Sequence, residues 1–525
     1  MLFTGATLAA LAWALWAAAD PSRVNHDVAW HQTLGAGLFD GGVFGVDLID
    51  VNPPWIFVAH AVSRGLATST GIAPLIMWSW LCVAVQAASL LLARRPLAQL
   101  LGSGVAADVL LSGGIIGLVA GAGYDFGQRD ALVVALLLPY GCALALAPKE
   151  DTQRTPLWRA LAAVLAVSAV LLKLHYAALV LVGELWLLRR CGLRRWSSRW
   201  ALRAGVGALV VAVVMLFAVG SAWLRAIGTL AAVYTGFSNT FVWLQPTTGW
   251  VLAALALALL DRVHAAVPSA TNAPPNTNDD PQSGAWLLVR LLAIASAVAL
   301  LIAWQQAKGY SYHLVPARMF AIASLAVGAT SLLVAQGLTH RLFVAATLAL
   351  VPWFALVATD RDSVPARMDE ITLSRAMAKY AGKGGLFAIA TSISPVFPAV
   401  LFTDARWVGR EGHLWRMESL RALPEDGPAT FPTLDTMGAA ERAWLTDLAA
   451  HLGRTKPQLL VVDRSPSHQG LRRPGIDLLR YVRLAPKMNV LLRGYRPVQQ
   501  IHVAINGEPY DLELWQRQDE SSPAP

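Results

Sequence analysis

Apolar runs close to the length of a bilayer crossing recur along this chain, and they restrict its fold more than any single motif. A membrane-spanning helix needs roughly 20 mostly apolar residues. Run length places about eleven spans, near 2–18, 71–93, 105–122, 131–147, 158–172, 175–188, 205–221, 248–260, 286–303, 315–334 and 342–358. Of the 525 residues, 56% are hydrophobic and 20 are Trp, an apolar share above that of ordinary soluble domains. The expected class is a polytopic α-helical membrane protein.

The net charge of +9 reads as topology rather than as a nucleic-acid footprint. Arg189, Arg190, Arg194, Arg195, Arg199 and Arg203 form an acid-free run between apolar segments, the pattern of a loop kept on the cytoplasmic side. With the N-terminus cytoplasmic, Arg94, Arg95, residues 149–159 and Arg341 fall on that side too. The opposite face then carries residues 19–70, 124–130, 173–175, 222–247, 304–314 and everything after Thr359. Residues 55–67 are amphipathic, and counting them as a span would invert every later loop, so they are expected to lie in the interface. Residues 222–247, with Trp223, Tyr234, Phe237 and Trp243, are expected there as well. The Asn-, Pro-, Thr- and Ser-rich stretch 268–284 reads as a cytoplasmic loop. Residues 2–18 lack a basic leader and a small-residue cleavage site, and read as an uncleaved span. Cys82, Cys142 and Cys191 lie in or beside spans, too far apart for metal-ligand spacing.

The division expected is a membrane domain over 1–358, with 19–70 as its first extracytoplasmic loop, and a soluble α/β domain over 359–525. Charged residues concentrate from Asp360 onward. Residues 386–391 and 459–463 read as short buried strands and 438–452 as an amphipathic helix. Residues 499–505 and 510–516 flank Asn506-Gly-Glu-Pro509, a hairpin signal. Gly382-Lys-Gly-Gly385 lacks the spacing of a phosphate loop and reads as a turn.

The face opposite the arginine run gathers the unusual polar residues. Its first loop holds Asp20, Asp27, Asp40, Asp47 and Asp50, in a chain only 14% charged. Carboxylates this close to a bilayer are costly unless they face water or protein. The same loop carries His26 and His31. The second loop reads Tyr124-Asp-Phe-Gly-Gln-Arg-Asp130, and the third Lys173-Leu-His-Tyr176. The fourth contains Lys308, Tyr310, Tyr312 and His313, followed by Pro316 and Arg318. Carboxylates can take a proton from an attacking hydroxyl or hold a metal, while Lys and Arg are natural partners of phosphate. Together they suit a substrate with a lipid tail and a phosphate head.

Each of these residues has a structural alternative. Asp27 can cap the helix that follows it, and Asp50 can pair with Arg64. Asp125 and Asp130 can bracket Arg129 in an ion pair. Lys173 can snorkel to the interface, and Tyr312 and His313 can belong to an interfacial aromatic belt. His26 and His31 with Asp27 make only a weak zinc pattern. Glu184 and Asp108, each within an apolar span, read as paired or snorkelling.

The whole arrangement resembles the GT-C superfamily of integral-membrane glycosyltransferases, most closely the protein O-mannosyltransferase and aminoarabinose-transferase branch. Asp27 stands where that family has the first acid of its long first loop. Asp50-Val-Asn-Pro-Pro54 matches the motif acid-x-(His or Lys)-Pro-Pro that closes the loop, with Asn52 in the third place. Val28 follows Asp27 where the family often has a second acid. The resemblance implies a polyprenyl-phosphate-linked sugar as donor and a lipid, glycan or protein hydroxyl as acceptor. It implies inversion at the anomeric carbon, with Asp27 as base and Asp50 orienting substrate or binding a divalent metal. His26, Arg129, Lys173, His175, Lys308, Tyr310, Tyr312, His313 and Arg318 are the substrate-binding candidates, placed by topology. The implied location is a bacterial-type inner membrane, with the C-terminal domain periplasmic. A transporter or flippase of lipid-linked glycans, or a non-catalytic assembly protein for them, is the alternative. Transporters usually show inverted repeats and mid-membrane polar residues, and neither pattern is evident here.

Overall fold

The structure, a computed structural model, describes the chain apart from residues 1, 20–23, 148–156, 236–245, 267–280, 338–362, 421–432, 436, 467, 469–470, 472–475, 506–507 and 519–525. It is mostly helical, and its residues gather into two compact units. The first comprises Met1–Arg23, Leu66–Ala218 and Ser238–Asp360. The second comprises Val24–Gly65, Val219–Phe237 and Arg361–Pro525.

Among the described residues, five helices of the first unit are long and apolar enough to cross a membrane: Pro74–Leu101, Arg129–Leu146, Trp200–Ala218, Ser283–Gln306 and Ser311–Ala335. They correspond to the expected spans at 71–93, 131–147, 205–221, 286–303 and 315–334. Thr7–Ala18, Gly104–Ala120, Leu157–Leu172 and Thr247–Leu260 are apolar but shorter. At 1.5 Å per residue they reach only about 18–25 Å, less than the roughly 30 Å hydrocarbon core. The expected span at 175–188 is the 15-residue helix Ala177–Cys191. The expected span at 342–358 lies outside the described residues, as do Asp20, Arg341, most of 149–159 and most of 268–284. Length and composition therefore carry five of the eleven.

Within this unit the Arg129–Leu146 helix is central and almost wholly buried. The Trp200–Val219 helix instead exposes Val210, Val211, Val214 and Phe217, a surface suited to lipid. Glycine permits the tightest helix contacts. A Cβ on Gly183 would meet the Leu144 side chain at 2.6 Å, and one on Gly328 would meet Leu257 at 2.6 Å. Small residues of this kind let helices associate where lipid tails remove the hydrophobic drive.

The second unit holds a five-stranded sheet in the order β2-β1-β3-β5-β4. Its strands are β1 (Gly385–Ile389), β2 (Arg406–Trp407), β3 (Leu459–Asp463), β4 (Tyr495–Ile505) and β5 (Glu508–Arg517). β1 pairs in parallel with β2 and β3, while β5 runs antiparallel to β3 and β4. β3 is buried along its whole length, which is why it reads as an unbroken apolar run. The Ala439–Thr455 helix supplies Trp444, Leu445, Ala449 and Leu452 to the core over this sheet. The expected turn of the β4–β5 hairpin falls at Asn506 and Gly507, outside the described residues.

Two stretches from earlier in the chain belong to this unit. Residues 24–65 contribute the helix His26–Phe39 and most of Trp55–Thr70, and 219–237 contribute Ser221–Thr235. The apolar faces expected to meet the interface are in part covered by protein. Phe57 is fully buried against Phe44 and His31. Trp223 is buried, stacks on Phe44 at 6.4 Å and donates its Nε1–H to the Asp50 carbonyl oxygen at 3.0 Å.

Candidate functional site

The site residues expected from sequence divide between the two units. The acids and His26 lie in the second, and the remaining candidates lie in the first.

Asp27 occupies the first turn of the His26–Phe39 helix, but the cap is Asn25, whose side chain accepts the Asp27 backbone N–H at 2.8 Å. Capping is therefore not what Asp27 contributes. Its carboxylate lies 3.8 Å from His26 Nε2. Asp50 is held by its neighbours. Its Oδ2 accepts from Trp30 Nε1 at 2.9 Å, and its Oδ1 accepts from the Asn52 backbone at 2.8 Å and from Asn52 Nδ2 at 2.7 Å. Asn52, where the resembled motif has His or Lys, thus locks the acid of its own motif. Trp30 in turn packs edge-on against Phe397 and Trp407.

The residues after β2 complete this surroundings. The Ile49 N–H donates to the Arg410 carbonyl at 2.8 Å, and a Cβ on Gly412 would meet the Trp30 ring at 3.1 Å. Such close packing places Glu411 within electrostatic reach of Asp50 and His413 within reach of Asp27 and His26. Burial pushes the Glu411 carboxyl up to about 7, against the pull of its ion-pair partner Arg416, with Asp447 and Asp50 adding to the rise. Burial holds His413 down to about 4, partly offset by Asp27 and reinforced by His26. Glu411 Oε2 and His413 Nδ1 have no hydrogen-bond partner. Both residues line a small pocket of about 20 Å³ with Arg410, Asp447 and His451, room for about one water. Sequence reasoning missed Glu411 and His413. The only signal was an acid and an imidazole two residues apart in Glu411-Gly-His413, and their burial is a tertiary fact.

In the first unit, basic residues from three separate segments converge. Lys173 Nζ donates to both oxygens of Asp130, at 2.8 and 2.9 Å, and Tyr176 Oη donates to Asp130 Oδ1 at 2.8 Å. Asp130 is 0% exposed and Lys173 6%. The Lys173 ammonium also lies 5.3 Å from the centre of the Tyr312 ring, within cation–π range. Tyr310, Tyr312 and His313 pack on one another with ring centres 4.6–5.6 Å apart. Arg129, Lys173, His175 and Lys308 all act electrostatically on buried His313. Asp130 does not bracket Arg129, because it is taken by Lys173. Arg129 is 4% exposed, and its Nε and Nη1 have no hydrogen-bond partner.

Arg318 is used elsewhere in the unit. Its Nη2 donates to the Gly121 carbonyl at 2.6 Å, and it feels the charge of Asp125, which accepts from Ser311. Asp108 pairs with Arg94, and Glu184 with Arg199, as expected for structural carboxylates. Among the described residues, no three His, Cys, Asp or Glu side chains come together in a way that could hold a metal ion. Asp27 and Asp50 belong to no such group among the described residues. No protein-family model matches this chain, and no curated protein matches it.

Proposed function

We propose that this chain is a membrane glycosyltransferase that moves a sugar from a polyprenyl-phosphate donor to an acceptor hydroxyl, working from the extracytoplasmic face of an inner membrane. The observation that supports it most is the buried basic cluster of the first unit. Arg129, Lys173, Lys308 and His175 all act on buried His313, Lys173 is held by Asp130, and Nε and Nη1 of buried Arg129 have no hydrogen-bond partner. Buried polar groups are normally satisfied. A buried guanidinium with two open nitrogens among other cations suits an anion, and a phosphate monoester or diester supplies one with matching geometry.

In this reading Asp27 takes the proton of the acceptor hydroxyl. The hydroxyl oxygen then bonds to the anomeric carbon from the face opposite the leaving group. The bond from that carbon to the phosphate oxygen breaks, and polyprenyl phosphate departs with the electron pair. Charge gathering on the departing phosphate needs compensating positive charge, an electrostatic contribution that is commonly the largest in such reactions. No step requires a metal.

Native mass spectrometry of the purified chain, titrated with polyprenyl phosphate and a polyprenyl-phosphate sugar, tests the donor assignment. The expected result is saturable binding of both, weakened about tenfold or more by Arg129→Gln, the scale of one charge-assisted hydrogen bond. Binding no stronger than that of a bulk phospholipid would remove the donor from the account.

A further inference from the structure

One carboxylate holds the loop after the Ala177–Cys191 helix in shape. Glu184 Oε1 accepts from Tyr140 Oη at 2.8 Å, and its Oε2 accepts from Trp196 Nε1 at 2.7 Å and Arg199 Nη1 at 2.8 Å. Tyr140 sits on the central helix, while Trp196 and Arg199 belong to the loop itself. The loop is thereby pulled back onto its own helix, with Gly192 at φ +76° making the reversal.

The pinned loop walls a broad open pocket of about 810 Å³, whose lining includes the polar Arg194, Arg195 and Ser198 and the apolar Leu193 and Trp200. Arg189, Arg190, Arg194, Arg195 and Arg203 are all exposed. Leu193 and Trp200 are exposed too, at 67% and 58%. Arg190 and Arg203 lie over the rings of Trp186 and Trp200. Between residues 184 and 203 the chain holds six arginines and one acid, and that acid is already engaged inside the loop. The exposed arginines therefore lie beside apolar surface that water does not favour.

We infer that this loop is a binding site for an anionic phospholipid, with the headgroup phosphate on Arg194, Arg195 and Ser198 and the acyl chains along Leu193 and Trp200. Guanidinium groups match phosphate geometrically, and basic clusters at the end of a spanning helix attract anionic lipid at about 1 kcal/mol per residue, or about fivefold in affinity. A free phosphate offers the same charge but leaves the apolar wall uncovered. The site shares no residue with the proposed donor site, so the two readings stand or fall separately.

The test is native mass spectrometry of the full chain in detergent, titrated with phosphatidylglycerol and, separately, phosphatidylcholine. The wild type is expected to prefer phosphatidylglycerol, and the double variant R194A/R195A to lose about 25-fold in affinity for it, at about fivefold per arginine. Its phosphatidylcholine binding stays unchanged. R95A, which removes an exposed arginine outside the loop, leaves the preference intact. A preference that survives R194A/R195A, or falls equally in R95A, overturns the inference. Displacement of the lipid by glycerol phosphate at equal concentration would assign the pocket to free anions and overturn it as well.

Discussion

Lys173 and Asp130 offer the sharpest quantitative test, because their burial fixes the sign of each effect. Asp130 is fully buried and receives three hydrogen bonds, two from the Lys173 ammonium and one from Tyr176. Breaking a buried pair by removing one partner costs about 3–5 kcal/mol, whereas replacing both with groups of similar volume is often nearly neutral. The two single variants should not be equal. Lys173→Met leaves Asp130 among Arg129 and His175, which still act on the same site, so its carboxylate keeps partial compensation. Asp130→Asn removes the carboxylate that neutralises Lys173 and leaves the cations to repel one another. Asp130→Asn is therefore expected at the upper end of the range and Lys173→Met at the lower end. The double variant should fall about 2 kcal/mol or more short of their sum. Unfolding in mixed micelles by titration with SDS, followed by Trp fluorescence, measures all three. Additive effects, or Lys173→Met the more damaging of the two, would refute the idea that surplus positive charge surrounds Asp130.

Three further outcomes follow from particular contacts. Asn25→Ala removes the cap of the Asp27 helix and should cost about 1 kcal/mol of stability, seen as a lower melting temperature. Glu411, raised to about 7, keeps a proton in the folded protein that the unfolded chain releases near 4.5. Stability should therefore fall as pH climbs from about 4.5 to about 7 and then level, and Glu411→Gln should flatten that slope in melts taken across the range. His468 faces two acceptors, Asp463 Oδ2 at 2.9 Å and the Ile476 carbonyl at 2.8 Å, which favours the doubly protonated ring. Burial opposes that charge, but the hydrogen bond and charge of Asp463 outweigh it and the pKa is raised. Its contribution is complete below about 6.5 and is lost as pH rises through the raised value. His468→Gln should accordingly lower the melting temperature more at pH 6 than at pH 9.

The sequence made legible those features that depend on local pattern. β1 and β3 stand out as apolar runs because both faces of each are covered. The β4–β5 hairpin shows through its turn residues, and five spans through length. Periodicity identifies an apolar face but not what covers it. Trp223 and Phe57 therefore read as facing the interface, while in the structure they close on Phe44. The same limit hid Glu411 and His413, whose proximity to Asp50 and Asp27 arises only when the Trp30 ring packs against Gly412. The basic residues were legible as members of loops on one face. That Asp130 belongs to Lys173, while Nε and Nη1 of Arg129 stay without a hydrogen-bond partner, required the tertiary arrangement of three segments. Helices of 12–17 residues were the weakest ground, since an apolar run of that length is consistent with either a short crossing or a buried core helix.

Turnover with and without the proposed base tests the central claim most directly. The chain is reconstituted in liposomes with a radiolabelled polyprenyl-phosphate sugar and an extract of envelope lipids and glycans as acceptor, and label leaving the donor is followed for wild type and Asp27→Asn. The wild type is expected to release polyprenyl phosphate and to label an acceptor. Asp27→Asn should bind donor equally well and turn over about 10²–10⁴-fold more slowly, the usual contribution of a positioned base. Equal turnover by Asp27→Asn, or a wild type that binds donor and never transfers the sugar, would contradict that claim.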